Sequence, residues 1–468
     1  MTRPPTARTT HRPAPRGACP GVAAPMVSGD GLLLRVRHPI GGLTLEQARA
    51  VADAAERFGN GQLELTSRGN LQLRGVGEAD LTEAQEALIR AGAADADAER
   101  EAVRNVLAAP VSDLDPTAVA DVTGTARSVA DAVADDPRLR GLPPKTGIVV
   151  DGGGSAAVPE VYADVRLDAI DTTGYRIALA GRAADAVSLG RVAAEDAARA
   201  ITIVLGVLVS GDDAAAPPRM AAALAERGEA RFRDALAPVT GETTPSAPLA
   251  YPGGTCAPGL DVTGQWVHAV FPFGALSAGQ LRGIAAIAES HAGDTDGIGS
   301  LRLTPWRSVL VTGVGERALD ALTELGAITD AADSRRFLGA CVGAPGCASA
   351  TTATRSEALA LEARAPTLLA AGERLHVSGC GKGCGAVRQA AVMLMAEGGE
   401  YAMTLAGGVQ QAPDWSPASW ETVCRRIASL DALFAQARDT VEESLEQLIN
   451  RLGRTTVVRR VEEDVNRV

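Results

Sequence analysis

Apolar and polar positions along the chain follow one pattern that occurs twice. One copy begins at Gly29 and the other at Gly264. Each copy alternates as a strand, turns at glycine, continues as an amphipathic helix and ends in a glycine-rich loop and a second strand. The sequence Leu-Thr at residues 65–66 recurs at residues 303–304. The pattern therefore predicts a duplicated module.

The helices of the two copies are predicted to begin after Thr44 and Ser277, whose hydroxyls suit the capping position of a first turn. A unit of this size cannot bury both faces of its own sheet, so we expect the two copies to share one sheet. Further helical periodicity is found at residues 81–92, 126–135, 193–209, 219–237, 317–325 and 432–451, and strand-like runs at 147–151, 161–167, 175–180 and 401–405.

These elements predict an α+β fold in which a small half-domain precedes a larger α/β domain, and the same pair follows after a linker. The predicted divisions are a disordered tail (1–17), a half-domain (18–78), an α/β domain (79–211), a linker with one helix (212–250), a second half-domain (251–315), a second α/β domain (316–412) and a helical tail (413–468).

Composition limits the class of protein and its partners. Hydrophobic residues make up 46% and charged residues 22%, and no stretch approaches the roughly 18 apolar residues of a membrane span. The net charge of −12 argues against nonspecific nucleic-acid binding, and an anionic ligand would need a local basic pocket. Residues 1–16 lack an apolar segment, so we expect no secretory signal and predict a cytoplasmic protein with reduced thiols.

Two cysteine pairs carry the strongest chemical signal. Cys341 and Cys347 form a C-x5-C motif, and Cys380 and Cys384 form a C-x3-C motif. Two short loops that each present two thiols supply the four thiolates that a cubane iron–sulfur cluster needs. Neighbouring glycines let the backbone approach a cluster and donate hydrogen bonds to its sulfurs. The spacing therefore favours a [4Fe-4S] cluster.

Two alternatives to the cluster stay open at this point. The four thiols could be buried free cysteines, or they could bind zinc, although the C-x5-C spacing is longer than zinc pairs usually show. Cys19 and Cys256 lie just ahead of the two repeats and are interpreted as small buried residues, as is Cys424.

Several stretches together resemble the sulfite/nitrite reductase superfamily and, within it, the precorrin-3B synthase family. The resemblance covers residues 17–408 and depends on GACPGVAAPMVSGDGLLLRVR, FGNGQLELTSRGNLQLRG, SLRLTPWRSVLV, ACVGAPGCASA and HVSGCGKGCG. It implies the nitrite/sulfite reductase architecture, in which the two half-domains are ferredoxin-like. It also implies that Cys341, Cys347, Cys380 and Cys384 ligate the cluster.

The resemblance implies an oxidoreductase that hydroxylates precorrin-3A with O2 and closes a γ-lactone, a step of aerobic cobalamin biosynthesis that precedes ring contraction. Electrons would come from NADH, directly or through a reductase, and a separate non-haem iron stays open. The alternative is an assimilatory sulfite or nitrite reductase that binds siroheme, a haem, with Cys384 bridging cluster and haem iron. An iron–sulfur electron carrier is a third, disfavoured class.

The resemblance also assigns substrate-binding and catalytic cations. Arg68, Arg104 and Lys145 match the superfamily's basic residues that bind tetrapyrrole carboxylates and the substrate anion. Gly147 stands where a second lysine is usual, which argues against reduction of a small oxyanion.

Other cations are weighed from the residues themselves. Arg307 is a further candidate for carboxylate binding, because guanidinium groups suit carboxylates. Arg35, Arg37 and Arg74 fit an ordinary solvated strand face, and Lys382 is interpreted as solvated. The five histidines form no spaced pair, so no ligands for a second iron are assigned.

Overall fold

The computed structural model describes residues 20–37, 40–143, 145–210, 217–240, 256–291, 300–385 and 389–467. Within these ranges the chain forms four five-stranded sheets, each packed against helices. The tail predicted at residues 1–17, together with Cys19, His11 and His38, lies outside the described residues.

The first half of the chain contains β1 (Met26–Ser28), β2 (Gly31–Val36), β3 (Gly42–Leu43), α1 (Leu45–Phe58), β4 (Gln62–Leu65), β5 (Leu71–Val76), α2 (Leu81–Arg90), α3 (Ala98–Val103), β6 (Val106–Ala108), α4 (Thr123–Asp135), β7 (Ile148–Asp151), β8 (Ala163–Asp171), β9 (Gly174–Gly181), β10 (Val187–Ala193) and α5 (Ala197–Val209). The second half contains α6 (Met220–Arg227), α7 (Glu229–Leu236), β11 (Gly259–Leu260), β12 (Trp266–Val270), β13 (Ala275–Ser277), α8 (Ala278–His291), β14 (Leu301–Leu303), β15 (Ser308–Thr312), α9 (Arg317–Glu324), β16 (Leu338–Ala340), α10 (Thr354–Ala360), α11 (Pro366–Ala370), β17 (Leu375–Ser378), β18 (Ala390–Glu397), β19 (Glu400–Gly407), β20 (Trp415–Ala418), α12 (Trp420–Ala437), α13 (Leu445–Leu452) and α14 (Arg454–Val465).

The two repeats are joined by strand exchange. Their sheets have the orders β1-β2-β5-β4-β13 and β11-β12-β15-β14-β3, so the last strand of each comes from the other repeat. Ser277 of β13 pairs with Gln62, and Leu43 of β3 pairs with Leu301. Helices α1 and α8 pack against each other, and one apolar core spans both repeats. The expected sharing is therefore an exchange between two sheets rather than one continuous sheet.

Both predicted helix caps are confirmed. The Thr44 hydroxyl accepts a hydrogen bond from the Gln47 backbone, and the Gln47 side chain accepts one from Thr44 N–H. Ser277 and Gln280 repeat this reciprocal arrangement at the start of α8. Each pair satisfies two backbone donors that a helix start leaves free, which stabilises both helices at equivalent places.

The two larger sheets also repeat one topology. Their orders are β10-β9-β8-β7-β6 and β16-β17-β18-β19-β20. In each sheet the first three strands of the sequence run parallel, and the remaining pairs are antiparallel. Each sheet covers its own apolar core. The duplication therefore extends beyond the repeats to the domains that follow them.

Two helical predictions are wrong in detail. The single helix predicted at 219–237 is divided into α6 and α7 by Gly228, whose φ of 76° is left-handed. Both helices pack into the core under the first large sheet, with Phe232 fully buried, so this part of the predicted linker is structural. The helix predicted at 432–451 is interrupted as well, because α12 ends at Ala437 and Ser444 caps α13. No helix in the described ranges has the length and apolarity needed to cross a bilayer.

Candidate functional site

The two cysteine motifs follow two adjacent strands at one end of a sheet. Cys341 directly follows β16, and Cys380 lies two residues after β17. The two strands are parallel neighbours, with Ala340 opposite Val377, so both loops emerge at the same end of the sheet. All four predicted ligand cysteines line one cavity of about 580 Å³, and none forms a disulfide. The structure thus brings together two motifs that are separate in sequence.

Backbone groups shape the two loops around the thiols. Gly379 N–H donates a hydrogen bond of 3.1 Å to Sγ of Cys341. A Cβ on Gly379 would lie 2.7 Å from the Ala350 Cβ, so only glycine lets these segments approach. Such N–H···S bonds tune the potential of a bound cluster.

The four cysteines present a donor set that fits a cubane cluster. Within the described parts of the chain, no three His, Cys, Asp or Glu side chains are grouped closely enough to bind one metal ion. A cubane distributes its four thiolates over different irons, so its ligands need not meet at one atom. In this chain four free thiols line one cavity, and one of them accepts a hydrogen bond from a backbone N–H. The residues present therefore fit a cubane cluster.

The cavity is strongly basic although the chain is acidic. Its cationic lining residues are Arg35, Arg74, Arg307, Arg355 and Lys382. Among the described lining residues Glu64 is the only carboxylate. The predicted local basic pocket therefore exists beside the cysteines, and it is suited to a ligand that carries several negative charges.

A buried ion network joins the first repeat to the cysteine-bearing domain. Glu64 accepts hydrogen bonds from Gln72 (3.2 Å), Arg74 (3.3 Å) and Arg355. Arg355 lies in the first turn of α10, the helix after the C-x5-C loop, and its Nε is buried without a hydrogen-bond partner. Glu64, Gln72 and Arg355 were missed in the sequence. The available signal was that Glu64 and Gln72 face each other across adjacent strands.

The solvated interpretation of two repeat arginines is wrong. Arg74 is only 4% exposed and pairs with Asp30 as well as Glu64. Arg37 is 8% exposed and donates to the backbone oxygens of Glu101 and Pro20. A charged side chain is buried only when partners compensate its charge. Both arginines have partners that lie far away in the sequence, so the local pattern of the strands does not show that these arginines are buried.

Three further cations of the cavity wall, Arg35, Lys382 and Arg307, have different surroundings. Arg35 is half-buried and donates to the Gln72 side chain. Lys382 is exposed, as predicted, but it lines the cavity and donates to the Ser349 hydroxyl over 2.8 Å. Arg307 has a φ of 60°, and a Cβ on Gly385 would lie 3.2 Å from its Nη1. The Arg307 guanidinium therefore lies beside Gly385, the residue after Cys384, and burial lowers the pKa of Arg307 below its ordinary value.

The three cations assigned by resemblance lie outside the lining of this cavity. Arg68 donates to the backbone oxygen of Lys145 over 3.1 Å, so these two are brought together. Arg104 pairs with Asp95 at 3.2 Å, and its Nε has no hydrogen-bond partner. Their assigned roles remain predictions.

Gly147 lies beside this second group of cations. A Cβ on Gly147 would be 3.8 Å from Arg68 Nη1, which is ordinary contact distance. A side chain at Gly147 would therefore begin in ordinary contact with the Arg68 guanidinium.

Two histidines are buried close to these elements without forming a metal site. Burial lowers the pKa of both His268 and His376 to about 4. His268 is hydrogen-bonded through Nδ1 to Ala257 O and through Nε2 to the Ser308 hydroxyl. His376 Nε2 has no hydrogen-bond partner. The positive charge of Arg307 further disfavours protonation of His376.

The corresponding loops of the first large sheet lack cysteine. The loop after β6 carries Asp115, and the loop after β7 carries Ser155. Asp115 accepts hydrogen bonds from Ser155 N–H (2.6 Å) and hydroxyl (2.7 Å), which closes the two loops on each other. The paired cysteine motifs therefore occur only in the second copy of the duplicated fold.

Comparisons with known proteins agree with this architecture. The nitrite/sulfite reductase ferredoxin-like half domain matches residues 24–91 and 258–326, which are the two repeats. The structure of Mycobacterium tuberculosis NirA protein matches with a TM-score of 0.70 and 18% identity, over 91% of this chain and 84% of that one. The predicted α+β fold with ferredoxin-like half-domains is therefore confirmed.

Curated proteins that are similar in sequence indicate which family of this superfamily the chain belongs to. A precorrin-3B synthase from Sinorhizobium sp is 31% identical over 450 residues, which is 94% of each chain. A ferredoxin–nitrite reductase from Synechococcus elongatus is 28% identical over 79% of this chain and 77% of that one.

Proposed function

Because the chain belongs to the precorrin-3B synthase family of the sulfite/nitrite reductase superfamily, we propose that it hydroxylates precorrin-3A with O2. One oxygen atom enters the macrocycle, and the other leaves as water with two electrons and two protons from a donor. The ring A acetate then closes a γ-lactone. NADH is the proposed source of the electrons, directly or through a partner reductase.

The composition of the cavity wall carries this proposal. Among the described lining residues, five cations and one carboxylate surround a space of about 580 Å³ in a chain of net charge −12. A precorrin carries carboxylates around its rim, and guanidinium groups bind carboxylates with directional, charge-assisted hydrogen bonds. A lone electron carrier would have no use for such a cavity.

Specific residues take specific roles in the proposal. Arg307 and Arg355 bind substrate carboxylates from the wall nearest the cysteines, and Arg68, Arg104 and Lys145 bind the anionic rim from the first half of the chain. Cys341, Cys347, Cys380 and Cys384 would hold a [4Fe-4S] cluster, which supplies electrons one at a time when bound. A separate non-haem iron for O2 is left open in the proposal.

The second candidate is a siroheme-dependent sulfite or nitrite reductase. It is favoured by the nitrite reductase relatives, and Cys384, which is exposed and lines the cavity, would be the residue that holds the siroheme. It is opposed by Gly147, because reduction of a small oxyanion needs several crowded cations. We therefore rank it below precorrin-3A hydroxylation.

The test begins with anaerobic purification and assays for iron, sulfide and haem. The proposal expects about four irons and four sulfides and no haem, followed by transfer of one labelled oxygen atom from O2 to precorrin-3A, measured by mass spectrometry. Arg307→Ala should lose most of this transfer, whereas Arg459→Ala, at an exposed ion pair, should keep it. Bound siroheme with nitrite or sulfite reduction and no labelled product would establish the second candidate instead.

A further inference from the structure

The C-x5-C loop is clamped by the first repeat, 272 residues away in sequence. The contact is made by a group of residues called the loop clasp, which consists of the turn Ser28-Gly29-Asp30 and the side chain of Arg74. The loop clasp contacts the backbone between Cys341 and Cys347. The Gly346 carbonyl oxygen accepts a hydrogen bond from the Ser28 hydroxyl at 2.9 Å and another from Arg74 Nη2. The Gly346 carbonyl at the tip of the cysteine loop is therefore held by side chains of the first repeat.

The clasp is itself rigid. Arg74 donates through Nε (3.0 Å) and Nη2 (2.9 Å) to the two carboxylate oxygens of Asp30, a bidentate pair with one geometry. Its Nη1 is held by Glu64, and its side chain is 4% exposed. With Arg74 fixed by Asp30 and Glu64, the second N–H of its Nη2 points toward the Ser28 hydroxyl (2.9 Å) and the Gly346 carbonyl, so it helps to set the position of that carbonyl.

Steric contact completes the clasp. A Cβ on Gly29 would lie 2.6 Å from Pro345 O and 2.7 Å from Ala348 N, which brackets Cys347 from both sides. The φ of Gly29 is outside the left-handed region, so alanine would be strained only by the loop itself. The cysteine loop thus lies directly on the backbone of the first repeat.

We propose that Arg74 and Gly29 are positioning residues for Cys347, so that the first repeat holds the cysteine loop in its cluster-binding shape. The proposal depends on the four-cysteine cluster assignment for its effect on a cluster, but its geometry concerns the chain alone. Outer-shell contacts of this kind typically change metal affinity about 10- to 100-fold when they are lost.

The experiment compares Arg74→Lys, Gly29→Ala and Ser28→Ala with the parent protein in the full chain. Arg74→Lys keeps the positive charge but loses the bidentate guanidinium group. Gly29→Ala keeps all charges but displaces the cysteine loop. Ser28→Ala removes one hydrogen bond to the Gly346 carbonyl. The controls are Arg37→Lys, a buried arginine of the same repeat with backbone partners elsewhere, and Gly124→Ala, whose Cβ would meet nothing within 4 Å.

Two measurements are made on each folded variant. In reconstituted protein, transfer of iron to a chelator should be about tenfold faster in Arg74→Lys and Gly29→Ala, and the spectrum of the reduced cluster in electron paramagnetic resonance should shift. In cluster-free protein, alkylation of Cys347 should become several-fold faster relative to Cys256. Both controls should match the parent.

The outcomes separate the two proposals. Unchanged Cys347 alkylation and unchanged iron release in the folded variants would overturn the clasp while leaving the proposed function intact. A parent that takes up no cluster, with alkylation accelerated as expected, would overturn the cluster assignment while supporting the clasp. If Arg74→Lys does not fold, Gly29→Ala and Ser28→Ala decide the question.

Discussion

Arg307 adopts in the second repeat the left-handed backbone conformation that Gly69 adopts in the first, with φ angles of 60° and 62°. The two turns have the same hydrogen bonds: Arg307 N–H reaches Thr304 O, and Gly69 N–H reaches Thr66 O. Glycine adopts this conformation freely, whereas a residue with a side chain is strained by about 1 kcal/mol or more. The second repeat therefore keeps strain at the residue whose guanidinium lines the cavity.

This comparison predicts that two substitutions of Arg307 differ in stability but not in binding. Arg307→Gly and Arg307→Ala lose the same guanidinium, but only glycine relieves the backbone. We expect Arg307→Gly to be about 1 kcal/mol more stable than Arg307→Ala in urea unfolding, with both losing affinity for a polycarboxylate tetrapyrrole equally. Gly69→Ala should be destabilised, since its Cβ would also lie 3.1 Å from Leu107. An alanine variant as stable as the glycine variant would contradict the strain argument.

Buried histidine predicts loss of stability in mild acid. His268 is 3% exposed, and burial lowers its pKa from the usual value near 6.5 to about 4. Between these values the unfolded chain takes up a proton that the folded chain refuses, so the free energy of unfolding falls as pH drops. The contribution is about 1.4 kcal/mol per pH unit for each such group.

Unfolding by urea from pH 7 to pH 4 checks this expectation. His268→Gln carries no titratable ring, so its stability should fall less steeply than that of the parent through this window. His291→Gln, at an exposed histidine on the end of α8, should keep the slope of the parent. Parallel slopes for His268→Gln and the parent would exclude His268 as a source of the acid sensitivity.

Local patterns were predictable from the sequence, and long-range contacts were not. The caps Thr44 and Ser277 and the two cysteine motifs depend on residues within a few positions of each other, so spacing alone identifies them. Glu64 and Arg355 are 291 residues apart, and no local pattern in the sequence indicates that their side chains are in contact. Strand exchange escapes prediction for the same reason, because β3 has only two residues and its partner strand lies in the other repeat.

Substitution of single cysteines should separate ligands from structural thiols. Serine at Cys341, Cys347, Cys380 or Cys384 should abolish or strongly reduce iron and sulfide content after reconstitution, because each loses a thiolate at the cavity. Cys256→Ser should retain both, since burial raises the pKa of the Cys256 thiol to about 11 and keeps it protonated. Burial also raises the pKa of Cys424, so Cys424→Ser should behave likewise. Full cluster content in any of the first four variants would remove that residue from the ligand set.

Replacement of Glu64, the one carboxylate among the described residues that line the cavity, should give a variant that binds better and folds worse. Glu64→Gln keeps the size of the side chain but removes the charge that now compensates Arg74 and Arg355. Titration with uroporphyrin, a tetrapyrrole with carboxylates around its rim, should show several-fold tighter binding and a steeper salt dependence. The free energy of unfolding should fall by about 1–3 kcal/mol, because two mostly buried guanidinium groups lose a charged partner. Glu289→Gln, at an exposed ion pair, serves as the control and should change neither quantity. Weaker binding in Glu64→Gln would mean that Glu64 orients the arginines toward the ligand rather than competing with it.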